Sequence, residues 1–324
     1  MKKLSCRLIE DVELPDYDHF IQKHGRVFAQ REWLGILAGE TTLLGLFDGG
    51  QRLIGACPIQ QTKKMGLSVI MRQAYTPFLG PFVTDDVKQS ARGHETTRFF
   101  LNEICNTLKK IKPAICCLPL DISITDGLPF RWHNFKVIPV WTYLIDLSLT
   151  VEEIQARFSS TRRRNIRAAE RDGIEILETD CLEIVERLAT TTFERQKKKL
   201  PTGILKKILF EFAAKENSFA FVGYRDGQPI STVFCVYDNQ TAYYLVGGYD
   251  EKNAHHGAGA ACMHAAIIKS KSLGLKTFDF EGSSIPAIET YFRGFGGQQT
   301  PYLTVNQAWL PIELMLKIKK REIF

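Results

Sequence analysis

Short runs of apolar residues, broken by turn residues and separated by stretches of helical spacing, organise most of the chain. Leu43-Leu44-Gly45-Leu46-Phe47 enters Asp48-Gly49-Gly50-Gln51-Arg52 and leaves through Leu53-Ile54-Gly55-Ala56-Cys57. Much later, Phe219-Ala220-Phe221-Val222-Gly223-Tyr224 enters Asp226-Gly227-Gln228-Pro229 and leaves through residues 230–237. Both predict a β-hairpin turned at Asp-Gly, because glycine accepts the positive φ that such turns require. One hairpin is commonplace. Two, each preceded by a helical stretch and followed by further strands, predict two copies of one architecture.

The first copy continues with a strand at 68–75, a turn at Thr76-Pro77-Phe78-Leu79-Gly80-Pro81 and a long helix over 85–111. Phe99, Phe100, Ile104 and Leu108 give that helix its apolar stripe. Strands are expected at 114–118 and 141–147. The second copy predicts helices at 151–172, 181–198 and 203–215, then strands at 219–225, 230–237 and 241–247. A helix follows over 257–273 with Gly274 as its C-cap, then a strand at 277–281 and a helix at 285–293. Strands joined by a βαβ crossover predict an α/β chain with a mixed sheet and helices on its faces.

The chain has 324 residues, and roughly 150 residues per domain gives two domains. The pattern predicts them at 1–150 and 151–310, with an end helix over 311–324. Apolar residues make up 44% and charged residues 24%, enough for a core in each half and far from disordered composition. The net charge of +6 favours anionic partners weakly. Eight cysteines form no C-x-x-C pair, so neither a zinc site nor a thioredoxin-like pair is expected, and no metal is predicted. No run approaches the roughly 18 apolar residues of a membrane span, and no signal-peptide pattern opens the chain. The expectation is a reduced cytoplasmic protein.

Chemistry concentrates in 243–297. A strand ends at Gly247-Gly248, and the next helix opens at Gly257-Ala258-Gly259-Ala260-Ala261. Glycines there let a ligand approach the backbone, and the free N–H groups and helix dipole then face an anion such as a pyrophosphate. No acidic side chain occupies that first turn. The small residues Ala260, Ala261, Ala265 and Ala266 equally suit a helix packed tightly beneath a sheet. In the strand Phe278-Asp279-Phe280-Glu281, alternation puts both carboxylates on one face.

Here the sequence resembles a known family. Tyr291-Phe292-Arg293-Gly294-Phe295 is similar to the Tyr-x-x-x-Gly-Phe ending of GNAT acyltransferases, one residue shorter. Asp279-Phe280-Glu281-Gly282 followed by Tyr291-Phe292-Arg293-Gly294-Phe295-Gly296 resembles the Asp-Phe-x-Gly … Phe-Lys-x-Gly-Phe-Gly signature of the FemAB-type branch. The basic run 161–169, the turn at 76–81 and Trp141-Thr142-Tyr143-Leu144-Ile145-Asp146-Leu147 resemble other parts of that branch, so the likeness spans nearly the whole chain. It implies two tandem GNAT-like domains, with chemistry in the second, and transfer of an acyl group to an amine. The donor it implies is acyl-coenzyme A or, in the FemAB branch, aminoacyl-tRNA serving a peptidoglycan precursor; the acceptor is a small-molecule or lipid-linked amine.

That reaction needs an oxyanion donor, a base for the amine and an acid for the leaving group. The resemblance puts Tyr291 near the acid position, while Phe292 stands where the FemAB lysine would, with Arg293 one residue later. Glu281 and Asp279 are the candidate bases, Glu281 preferred because it lies nearer the carboxyl end of the strand; Asp279 also suits capping of nearby N–H groups. Gly257, Ala258, Gly259 and Ala260 would hold the donor phosphate. At the pyrophosphate loop the GNAT Gln or Arg is replaced by His256 or Ala254, depending on which glycine is matched first. His255 and His256 suit a solvated loop.

Counting ~100° per residue, Arg163, Arg164, Arg167 and Arg171 fall within about a quarter of one helix face, which suits a polyanion such as a tRNA backbone or a pyrophosphate. The alternative is a solvated face paired to acidic neighbours. Arg195-Gln196-Lys197-Lys198-Lys199 is a second basic patch. No aromatics interleave these charges, so sequence-specific nucleic-acid reading is not expected. The end helix combines Leu314, Leu316 and Ile318 with Lys317, Lys319, Lys320 and Arg321, an amphipathic pattern for docking on the body or for contact with anionic membrane. A catalytically inactive binding protein is the remaining alternative.

Overall fold

Alternation and helical spacing become hydrogen-bonded strands with helices on their faces. The computed structural model describes residues 4–195, 202–282 and 285–319. The chain divides into two compact units, residues 1–140 with 301–324, and residues 141–300. The segment after residue 300 therefore belongs with the first unit, where sequence pattern alone had continued the second domain to 310.

Strands in chain order are β1 Ser5–Leu8, β2 Glu40–Phe47, β3 Leu53–Lys64, β4 Leu67–Ile70, β5 Phe82–Val83, β6 Ile115–Pro119 and β7 Lys136–Asp146. They continue as β8 Glu175–Glu178, β9 Ser218–Arg225, β10 Gln228–Tyr237, β11 Thr241–Tyr249, β12 Thr277–Asp279 and β13 Gln298–Ala308. The helices up to residue 140 are α1 Leu14–His24, α2 Arg31–Ile36, α3 Asp85–Gln89, α4 Gly93–Ile111 and α5 Leu128–Trp132. Then come α6 Val151–Ala156, α7 Ser160–Arg171, α8 Leu182–Arg195 and α9 Thr202–Lys207. The last are α10 Ala258–Ser272, α11 Pro286–Arg293 and α12 Leu310–Lys319.

The first unit orders its strands β1-β2-β3-β4-β6-β13, with β5 on β3; the second orders them β8-β9-β10-β11-β12-β7. The repeat expected from the hairpins is thus present strand for strand. Each unit has one parallel pair, β4 with β6 and β11 with β12, bridged by a crossover that contains α4 or α10. Each receives its last strand from the segment that follows the other repeat: β7 pairs with β12, and β13 pairs with β6.

Local chemistry refines several expected elements. The helix expected over 85–111 is split into α3 and α4, because the chain at Ser90 is extended and Gly93 packs against the Val87 carbonyl. The helix over 151–172 is likewise two, since Ser159 is extended and its hydroxyl caps the Arg162 N–H at 3.2 Å. Thr150 and Glu153 close a capping box on α6. The Asp226-Gly227 turn has two positive φ values, 50° and 72°, as the tight hairpin type demands. At Asp48 the loop is longer: its carboxylate accepts the Gly50 and Arg52 N–H groups, and Gln51 takes the positive φ.

Phe100, Leu101, Ile104 and Leu108 of α4 pack on Leu44, Leu46, Ile54 and Leu118 to make the first core. In the second, Phe280 stacks on Phe292 and Phe295 at centroid distances of 5.1 and 5.7 Å, and Phe158 meets Phe295 edge-on. This aromatic cluster fixes α11 and the start of α7 beneath the end of β12. No helix among the described residues is long and apolar enough to cross a membrane, and all eight cysteine thiols are free.

Candidate active site

The second unit opens where β12 leaves β11. Their parallel pairing has three positions, Thr241 with Thr277, Ala242 with Phe278 and Tyr243 with Asp279. Strand β11 continues to Tyr249 along β10, with Leu245 bulged out between the Phe234–Val246 and Cys235–Tyr244 pairs. No strand among the described residues covers the other edge of β11 beyond Tyr243. That edge ends at Tyr249, whose N–H donates to the Thr192 hydroxyl of α8 at 2.9 Å.

Asp279 turns β12 away. Its buried carboxylate accepts the Glu281 N–H at 2.8 Å and the Thr142 hydroxyl. Glu281 then takes φ 56°, and Gly282 packs on the Trp141 carbonyl so closely that any Cβ would collide. The expectation that Asp279 and Glu281 share one strand face is therefore corrected: Asp279 is the last strand residue, and Glu281 sits in a left-handed turn, because the carboxylate-to-amide bond ends the pleat. Glu281 stays partly buried, and its charge reaches Cys235 and Tyr244.

Helix α10 follows β11 in the crossover to β12. No side chain caps its first turn, which carries no acid. Gly257 is the N-cap, but a Cβ there would collide with the Asn165 carbonyl of α7, and its N–H donates to His255 Nδ1 at 3.1 Å. Its small size serves helix packing. His255 was expected in solvent, yet its side chain is 6% exposed, and its Nε2 meets Asp172 at 3.1 Å. With Nδ1 accepting, Nε2 carries the proton and donates. Arg171 first, then His255, hold the Asp172 carboxyl down at about 2.

Gly259 is different. It is partly exposed, and the one group a Cβ would meet there is the Tyr291 hydroxyl, at 3.6 Å. Ala258 and Ala260 are buried beside it. Helix α11 thus delivers a phenol to the uncapped turn of α10. Burial raises the Tyr291 pKa well above its usual 10, while the Arg162 guanidinium, 4.1 Å over the ring, opposes the rise. Tyr244, a neighbour of both Tyr291 and Glu281, is raised mainly by burial.

The arginines divide. Arg163 donates to the Ala156 and Phe158 carbonyls at 3.0 and 2.7 Å, closing the end of α6. Arg171 pairs with Asp172, and exposed Arg293 pairs with Glu289 at 3.0 Å. Arg164 and Arg167 stand exposed on α7. Sequence reasoning passed over Arg162. The Asn165 amide, oriented so that it donates to the Thr161 carbonyl, accepts from this guanidinium at 3.1 Å. Arg162 Nε is buried without a hydrogen-bond partner, and Gly294 makes room for it, since a Cβ there would lie 2.9 Å away. A signal existed: counting from Arg163, Arg162 falls at about −100°, between Ile166 and Ala169 on the apolar face.

A separate cleft of about 360 Å³ lies at the far end of α10, between Lys269, Leu273, Glu178 and Lys215. Its lysines are already paired, Lys269 with Glu178 and Lys215 with Asp180. The basic patch at 196–199 lies outside the described residues.

Residues 156–293 match the family model described as acetyltransferase (GNAT) domain. Among solved structures the chain is similar to FemX, at TM-score 0.73 and 13% identity over 96% of this chain and 99% of that one. It is also similar to L-PGS from Bacillus licheniformis, at TM-score 0.57 and 13% identity over 97% of each. A tandem GNAT protein from the clavulanic acid biosynthesis pathway aligns at TM-score 0.53 and 10% identity, over 94% of this chain and 98% of that one. No curated protein sequence matches the chain. Residues 156–293 thus match a GNAT domain model, and the fold of the whole chain is similar to that of FemX and of a tandem GNAT protein.

Proposed function

We propose that this FemAB-like tandem-GNAT chain is an N-acyltransferase that moves an acyl group from acyl-coenzyme A to the amine of a cell-envelope precursor or small metabolite. The observation that carries the reading is the Tyr291 hydroxyl close to Gly259, in the uncapped first turn of α10, in a unit where β11 runs on past its last partner on β12. The N–H groups of Gly259 and Ala260 bind the donor pyrophosphate, helped by the helix dipole. The free edge of β11 supplies backbone hydrogen bonds to the extended arm of the donor. Glu281, through a water, takes a proton from the acceptor amine as its nitrogen attacks the thioester carbonyl. The C–N bond forms, the C–S bond breaks, and Tyr291 gives its proton to the leaving thiolate. A phenol kept protonated by burial suits that role, and Arg162 offsets the charge as the proton leaves. Use of acyl-coenzyme A places the work in the cytoplasm.

Calorimetry with acetyl- and longer acyl-coenzyme A tests the donor; absence of heat with every chain length would overturn it. A second reading is favoured by Arg164 and Arg167, exposed on α7 as a basic rim. In it the donor is aminoacyl-tRNA. Removing both arginines then abolishes tRNA binding that weakens steeply with salt.

A further inference from the structure

Helix α12 lies in the first unit and was expected to dock its apolar side on the body. The structure shows an apolar residue set on both sides. Counting ~100° per residue from Leu310, the partly buried Ile312, Leu316 and Glu313 fall at ~200°, ~240° and ~300°. Glu313 ties the helix down through Lys136 at 2.8 Å, and the Trp309 N–H donates to the Ala114 carbonyl at 3.0 Å. The opposite side holds Leu310, Leu314, Ile318 and Met315 within ~0–140°. These are 71%, 54%, 86% and 47% exposed, and Trp309, just before the helix, is 49% exposed.

A contiguous bare apolar strip of this kind marks a contact surface. Its flanks identify the occupant. Lys317 and Lys319 stand on its two sides, at ~340° and ~180°; Glu313, the one acid of the helix, is shared between Lys136 and, at 3.3 Å, Lys317, which leaves Lys319 without an acid on its own helix. Apolar residues at the centre, lysines at the rims and a tryptophan at one end suit the boundary between lipid headgroups and acyl chains. A second copy of the chain fits less well. Laying strip on strip about a two-fold axis brings the lysine rims of both copies together.

We infer that α12 is an interfacial helix that seats the protein on an anionic lipid surface. Leu310, Leu314, Met315 and Ile318 enter the acyl boundary, and Lys317 and Lys319 meet the headgroup phosphates. Vesicle co-sedimentation tests this with no transferase substrate present, so its outcome is separate from that of the transferase reading.

The intact chain is expected to sediment with vesicles of phosphatidylcholine mixed with phosphatidylglycerol and to weaken as salt rises. Leu314→Glu with Ile318→Glu lowers partitioning by ~10-fold or more, and Lys317→Glu with Lys319→Glu removes the preference for phosphatidylglycerol. All four side chains are exposed, and circular dichroism verifies that each variant folds. Failure of the intact chain to bind mixed vesicles at low salt, equal binding to phosphatidylcholine alone, or unchanged binding by the leucine–isoleucine variant overturns the inference. So does light scattering that shows a dimer which Ile318→Glu splits, because the strip is then covered by a second copy.

Discussion

Helices α4 and α10 fill the same place in the two repeats, each in the crossover between the strands of a parallel pair, yet their N-termini differ. The α4 end is shut: α3 precedes it, Gly93 packs on the Val87 carbonyl, and Glu95 sits in the first turn. That carboxylate already complements the helix dipole and repels an anion. The α10 end keeps Gly257 packed in the same manner on Asn165 and, like α4, has no side-chain cap, but its first turn carries no acid. The partner strands differ as well. β4 ends at Ile70, where its pairing with β6 ends, whereas β11 runs six residues past its last partner on β12. A repeated topology therefore repeats the packing glycine without repeating the acid-free helix end.

Breaking this contrast at the chemistry should give the largest effect. Tyr291→Phe is expected to lower kcat by ~10²-fold or more while acyl-coenzyme A affinity changes little, as for loss of a general acid. Glu95→Gln in the first repeat leaves turnover unchanged. Retained turnover in the Phe variant would remove the phenol from the mechanism.

The shared feature of the two helices is packing, so Gly257→Ala and Gly93→Ala should both destabilise, by about 1–3 kcal/mol each through overpacking. Thermal melts read this as several degrees of lost Tm. A neutral outcome at both positions would sink the packing assignment.

Gly259→Asp sharpens the ligand side of the comparison. An acid in that turn takes the dipole for itself, and donor Kd should rise by about 5-fold or more, the equivalent of roughly 1 kcal/mol. Calorimetry reads the change, and an unaltered Kd places the donor phosphate elsewhere.

The smallest effects come from acid titration. Glu13 is lowered from its usual 4.5 to about 2, mainly by its hydrogen bond with Arg7, and Asp172 from 3.8 to about 2 by Arg171 and His255. Depressed carboxyls stabilise the fold above their ordinary values and lose that contribution as pH falls toward 2. Glu13→Gln and Asp172→Asn should each make the acid-range fall in stability shallower than in the parent chain. Superimposable acid-denaturation curves would refute both assignments.

How far the site could be read from sequence depended on the range of the forces involved. The uncapped α10 start and the aromatic-rich α11 are local patterns, and both were legible. The two units were visible because the Asp-Gly hairpins recur at equivalent places. Arg162 was passed over because four neighbouring arginines formed a more conspicuous face, while its own wheel position pointed into apolar surroundings. Two of those four, Arg163 and Arg171, proved to serve the ends of α6 and α7. His255 looked like a loop residue until the end of α7 supplied Asp172 across 83 positions of sequence.

Period, turn chemistry and helix-end composition determined by themselves that this chain builds two mixed α/β repeats and leaves one glycine-led helix without an acid. These are near-neighbour properties, set by pleat, pitch and φ. Only the tertiary structure decided which glycine packs and which faces the phenol, that Asp279 ends its strand, and that the outer side of α12 stays bare. Those outcomes depend on carbonyls, guanidiniums and helix faces that meet from distant parts of the chain, where sequence spacing carries no geometry.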